Sequence, residues 1–94
     1  MSLTFEWDEQ KAGQNLRKHG VSFQEASQVF ADPLSAVIPD LTHSEREGRF
    51  LTIGQSTKGE MLIVVFTQRD ERIRIISARP ATRGEVRIYE EGEA

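Results

Sequence analysis

Thr4-Phe5-Glu6-Trp7 alternates polar and apolar positions over a length that suits an edge strand. From Asp8 the spacing of apolar positions turns helical. Asp8 is a side chain that can answer the free N–H groups of a first turn. Ala12, Leu16 and His19 then share one stripe, while Lys11, Asn15 and Lys18 share the next. Gly20 ends this helix. Ser22 followed by Glu25 has the spacing of a capping box and predicts a second helix to about Phe30, with Phe23, Ala26 and Phe30 turned to the core. Asp32-Pro33 breaks it, because proline disfavours helical geometry in the residue before it. Beyond the break the period becomes two, predicting strands over Leu34 to Ile38, Arg49 to Gly54, Met61 to Thr67 and Arg72 to Arg79. The last three are joined by Ser56-Thr57-Lys58-Gly59 and by Gln68 to Glu71, connections short enough to force antiparallel neighbours. Pro80 stops the last strand. Thr82 with Glu85 repeats the capping-box spacing and starts a closing helix that should run to about Tyr89. The pattern is α+β: N-terminal helices packed on one face of a twisted antiparallel sheet, a C-terminal helix, and the other face of the sheet left open.

The chain has 94 residues, enough for one core, and we treat 1–94 as a single domain with residues 90–94 as a disordered acidic tail. Its longest apolar run, Met61 to Phe66, is far below the roughly 20 residues that span a bilayer, so no membrane role and a cytoplasmic location are expected. There is no cysteine, which excludes disulfides and thiolate metal sites. The net charge of −3 is unevenly spread: three Lys/Arg face seven Asp/Glu in residues 1–45, nine face five in 46–87, and the last seven residues carry three glutamates. The middle block is almost wholly arginine, the side chain whose planar fork matches phosphate oxygens. It also has acidic partners to hand in Asp70, Glu71 and Glu85.

Nucleotide-binding loops of the GxGxxG or GxxxxGK[ST] type are absent, as are HExxH and GxSxG, so neither a metal nor a cofactor is expected. His19 is one of two histidines and follows Lys18 at a helix end, where it can serve as general acid or base, or simply bind the last carbonyls of the helix. His43, in a polar loop, ranks second. Strict alternation in the last strand puts Arg72, Arg74, Ile76 and Ala78 on one face and Ile73, Ile75, Ser77 and Arg79 on the other. A guanidinium at Arg79, on an apolar face, then needs either a phosphate or a carboxylate such as Glu85 or Glu90. Arg69 and Arg49 are more exposed phosphate candidates. Trp7 and Phe66 are expected in the core, whereas Tyr89 is left open between packing and contact with a base.

Taken together, Phe5-Glu6-Trp7-Asp8, Lys11, Asn15, Lys18-His19-Gly20-Val21, Phe23, Asp32-Pro33, His43, Glu47, Arg49, Phe66-Thr67, Arg69 and Ile75-Ile76-Ser77-Ala78-Arg79 make a combination that resembles the BrnT family of bacterial toxins. The resemblance covers nearly the whole chain. One departure is that Glu85 and Arg87 are separated by Val86, where the family often has glutamate followed directly by arginine. It implies a RelE-like fold and a metal-independent endoribonuclease of a type II toxin-antitoxin system. The RNA substrate and a ribbon-helix-helix antitoxin like BrnA would be its partners, with DNA reached only through that antitoxin. On this expectation His19, Lys18, Arg69 and Arg79 are the catalytic set and Arg49, Arg74, Lys11 and Tyr89 contact RNA. The reading from another class is a non-catalytic module that binds protein or nucleic acid with the same basic surface.

Overall fold

A computed structural model describes residues 3–39 and 48–92. It orders β1 (Thr4–Glu6), α1 (Glu9–His19), α2 (Phe23–Gln28) with a 3₁₀ turn (Val29–Ala31), β2 (Ala36–Pro39), β3 (Arg49–Gln55), β4 (Met61–Arg69), β5 (Arg72–Pro80) and α3 (Arg83–Glu91). His43 lies outside the described residues. So does the end of the expected acidic tail; α3 itself runs two residues into that tail, through Glu91.

Local signals account for the helix ends. The Asp8 carboxylate accepts from the N–H groups of Gln10 and Lys11 at 2.8 and 3.1 Å. Gly20 closes α1 in the left-handed region with φ 72°, where a side chain would be strained. Thr82 and Glu85 form the full reciprocal capping box. At Ser22 only half of the expected box forms. Its hydroxyl takes the Glu25 N–H, but the Glu25 carboxylate turns inward and accepts from Ser56 Oγ at 3.0 Å, tying α2 to the β3–β4 turn.

The strands form one sheet in the order β1-β5-β4-β3-β2. Neighbours from β2 to β5 are antiparallel as expected, but β1 lies parallel to β5 through Arg72–Arg74, so the sheet is mixed. A strand that precedes two helices and reaches the far edge of the sheet arrives there with the direction of β5. Residues paired across strands share a face. Phe50, Phe66 and Ile75 stand on the inner face, as do Thr52, Val64 and Ala78, and they pack against Val21, Phe23, Ala26 and Val29 of the α1–α2 layer. Phe66 is buried as expected. Trp7 is half-buried, edge-on to Phe23 with ring centroids 5.9 Å apart.

Two expectations are corrected here. The outer face is not left open along its length, because α3 packs over one end, where Tyr89 clusters with Ile53 and Ile63. Strict alternation also fails in β5. A register shift lets Val65 pair with Ser77 while Phe66 pairs with Ile75, so Ile76 is an extra, unpaired residue. Every residue after it changes face. Ala78 therefore joins the inner core, and Arg79 moves to the outer face with Arg72 and Arg74.

Candidate active site

Helix α1 lies along the edge of β5 beyond the three residues covered by β1. Between them is a cleft of about 230 Å³ lined by Lys11, Lys18 and His19 from the helix and by Ile76 and Ser77 from the strand. Lys11, Lys18 and His19 share this side because they lie four before, three after and four after Asn15. Asn15 is the buried residue of α1, whereas Leu16, of the Ala12 stripe, is 51% exposed. On the strand side the bulge at Ile76 brings Ser77 to the cleft mouth, on the outer face.

Arginines flank Ser77 along that face. Arg79, two residues on, holds Glu85 in a bidentate pair, with Nη1–Oε1 at 2.9 Å and Nη2–Oε2 at 2.8 Å. The Arg79 guanidinium holds the Glu85 carboxyl down to about 2, and Glu85 in turn raises Arg79 above its ordinary value. Of the two readings open for Arg79, the carboxylate partner is therefore present. Its side chain still keeps 40% of its surface exposed. Arg74, on the other side of the bulge, meets Glu6 at 3.3 Å, and Arg72 meets the same carboxylate at 3.4 Å.

Arg74 belongs to a row that crosses four strands on the outer face: Arg49 pairs with Thr67, Thr67 with Arg74, and Arg74 with Glu6. Thr67 Oγ1 and Arg49 Nε are buried with no hydrogen-bond partner among the described residues. The next row outward joins Arg69, Arg72 and Thr4, beside an open hollow of about 540 Å³ that also includes Asp70 and Glu71. The structure thus gathers Lys11, Lys18 and His19 in one cleft, places Arg74 and Arg79 along the strand on either side of it, and puts Arg49 and Arg69 on the same face farther off.

Tyr89 is placed differently from expectation. It is buried among Ile53 and Ile63, and its hydroxyl donates to Asp32 Oδ2 at 2.8 Å, which makes it an anchor for α3 rather than a surface for a base. Burial opposes ionisation of Asp32, but the N–H groups of Leu34 and Gln55 and this hydroxyl outweigh it and keep the carboxyl below its ordinary value. Sequence reasoning assigned no site role to Asn15, Ser77 or Thr67, though all three stand among the residues of the resemblance. For Asn15 the available signal was a polar residue three positions after Ala12, within the buried stripe.

The sequence matches over residues 7–85 the family model described as ribonuclease toxin, BrnT, of type II toxin-antitoxin system. The chain belongs to the BrnT family. Membership brings with it the class of activity, a ribonuclease toxin, and implies an RNA substrate and an antitoxin partner. In fold, too, the chain is similar to the crystal structure of the Brucella abortus ribonuclease toxin, BrnT, at a TM-score of 0.69 and 24% identity, covering 87% of this chain and 100% of that one. No curated protein matches the sequence. Among the described residues, no helix is long and apolar enough to cross a membrane.

Proposed function

We propose that this BrnT-family chain is a metal-independent endoribonuclease of RelE-like fold that halts translation in the cytoplasm by cutting RNA, and that a BrnA-like ribbon-helix-helix antitoxin silences it. DNA would be contacted only through that antitoxin. The observation that carries the reading is the α1–β5 cleft, in which an imidazole and two ammonium groups face Ser77 between two arginines of the outer sheet face.

Cleavage without a metal asks for a base to take the 2′-hydroxyl proton, an acid to protonate the leaving 5′-oxygen, and cations around the phosphorane. His19 exchanges protons with the reacting oxygens. Glu85 is ruled out as the base, since a carboxylate held at about 2 accepts protons poorly near pH 7. Lys18 and Lys11 supply positive charge from the helix side. Arg79 supplies it from the strand, its fork oriented by Glu85, while Arg74, Arg49 and Arg69 carry the neighbouring phosphates of the strand across the outer face.

The test is cleavage of a labelled RNA by purified protein in the presence of EDTA. The parent should leave fragments ending in 2′,3′-cyclic phosphate, and His19→Ala and Arg79→Ala should each slow cleavage by ~100-fold or more. A parent that binds RNA in a salt-dependent way but never cuts it would favour the binding-module reading. Parental rates in both variants would remove these residues from the reaction.

A further inference from the structure

We infer that Asn15 is the positioning residue of this site, the side chain that holds the proton-transfer groups of α1 in register with the strand residues they face. The inference rests on the assignment of His19 and Lys18 above.

The Asn15 amide makes three hydrogen bonds. Nδ2 donates to Val21 O at 3.0 Å and to Ala78 O at 2.8 Å, and Oδ1 accepts from Ala78 N at 3.1 Å. Both amide hydrogens are thereby used, and the residue is only 7% exposed, so it has no donor left for a substrate. What it joins is informative. Ala78 is the residue between Ser77 and Arg79, and β1 pairs with β5 only as far as Arg74. At Ala78 the strand edge would otherwise leave a buried N–H and a buried C=O without partners, each a costly omission. The Asn15 side chain takes the place of a neighbouring strand there. Through its third bond it also fixes Val21, just past Gly20, and so closes the chain behind His19.

One amide therefore connects the helix that carries Lys11, Lys18 and His19, the turn that ends that helix, and the strand residue flanked by Ser77 and Arg79. Beyond Arg74 the bulged strand is laddered to β4 on one side only, and on the cleft side the Asn15 bonds are what fix it to α1. Small shifts of reacting groups are expensive in rate, because catalysis depends on sub-ångström placement of the proton-transfer group.

The experiment compares RNA cleavage by the parent, Asn15→Ala, Asn15→Asp and Val29→Ala. The last removes buried side-chain volume from the far side of the core, so it lowers stability without touching the cleft. Measured well below the unfolding midpoint of each protein, Asn15→Ala should lose at least ~30-fold in kcat while KM stays within about threefold, because the phosphate contacts remain. Val29→Ala should keep parental kcat. Asn15→Asp offers an acceptor to Ala78 N but sets a carboxylate against the Val21 and Ala78 carbonyls. Its kcat should therefore fall as pH rises through the titration of that buried acid, adding an ionisation that the parental pH profile lacks. A kcat for Asn15→Ala within threefold of the parent, or a loss no larger than that of Val29→Ala, overturns the inference. If neither Asn15 variant folds, hydrogen exchange in the parent decides: protection of the Ala78 amide comparable to that of Val64 supports it, and exchange as fast as an exposed loop overturns it. A fully active His19→Ala would bring down the underlying assignment instead. An inert His19→Ala beside an active Asn15→Ala would bring down this inference alone.

Discussion

Replacing Glu85 by glutamine isolates the Arg79–Glu85 ion pair from everything else that residue does. Glutamine preserves the capping box, since its carbonyl oxygen can still accept from Thr82 N, a bond 2.8 Å long in the parent. What it removes is the charge. A carboxyl held at about 2 instead of 4.5 corresponds at face value to ~3 kcal/mol in favour of its ionised form. With the Arg79 side chain 40% exposed, solvent screening reduces this to about 1–1.5 kcal/mol of folding stability. The sign follows from the depressed value. The contribution is complete above about pH 4.5, where the unfolded chain is also ionised, and disappears as pH falls toward 2 and the native carboxyl takes up its proton. Urea unfolding of parent and Glu85→Gln should thus differ by about 1–1.5 kcal/mol at pH 7 and converge near pH 2. In a thermal scan at pH 7 the same difference is about 5–10 °C for a domain of this size. Equal stability of the two proteins at pH 7, or a gap that persists undiminished to pH 2, would refute the reasoning.

Other outcomes are equally specific. Gly54→Ala should destabilise by about 1–3 kcal/mol in urea unfolding, because a Cβ there would lie 2.7 Å from Val29 Cγ1 and 3.0 Å from Ser35 Cβ. Tyr89→Phe should cost about 1 kcal/mol by the same assay through loss of the 2.8 Å bond to Asp32, with the ring still filling its place. Arg74→Ala should weaken RNA binding about equally for all sequences and reduce the slope of log affinity against log salt by about one, as fluorescence anisotropy would show; an unchanged slope would take Arg74 off the RNA path.

Much of the fold can be read from local chemistry. Asp8, Gly20, Ser22 and Thr82 mark element ends through bonds to their near neighbours, Pro33 and Pro80 through their fixed backbone and missing N–H, and these ends fall within a few residues of expectation. What escaped depends on distant partners. The parallel pairing of Thr4 with Arg72 joins residues far apart in the chain, and period-two spacing is the same for either direction. Leu16 fits an apolar stripe, yet the buried position belongs to Asn15, because Ala78 needs a hydrogen-bonding partner that leucine cannot provide. The Ile76 bulge had the largest effect on the site. The adjacent Ile75 and Ile76 interrupt the polar–apolar alternation, but only the register against Val65 and Phe66 identifies Ile76 as the extra residue that sends Arg79 to the face of Arg72 and Arg74. Candidate residues could be named from the sequence, but how they are arranged depends on this register.

The contacts of β1 and Asn15 with β5 have a consequence for biosynthesis. Thr4–Glu6 waits for Arg72–Arg74 and Asn15 waits for Ala78, so these N-terminal residues meet their partners only once more than three quarters of the 94 residues have been made. A nascent polypeptide still lacking β5 has the lysines and the imidazole but no opposing wall, and loop-closure entropy disfavours assembling one early. On the proposed function, the α1–β5 cleft therefore cannot assemble before Ala78 has been made, and the lysines and imidazole of α1 have no strand to face until then.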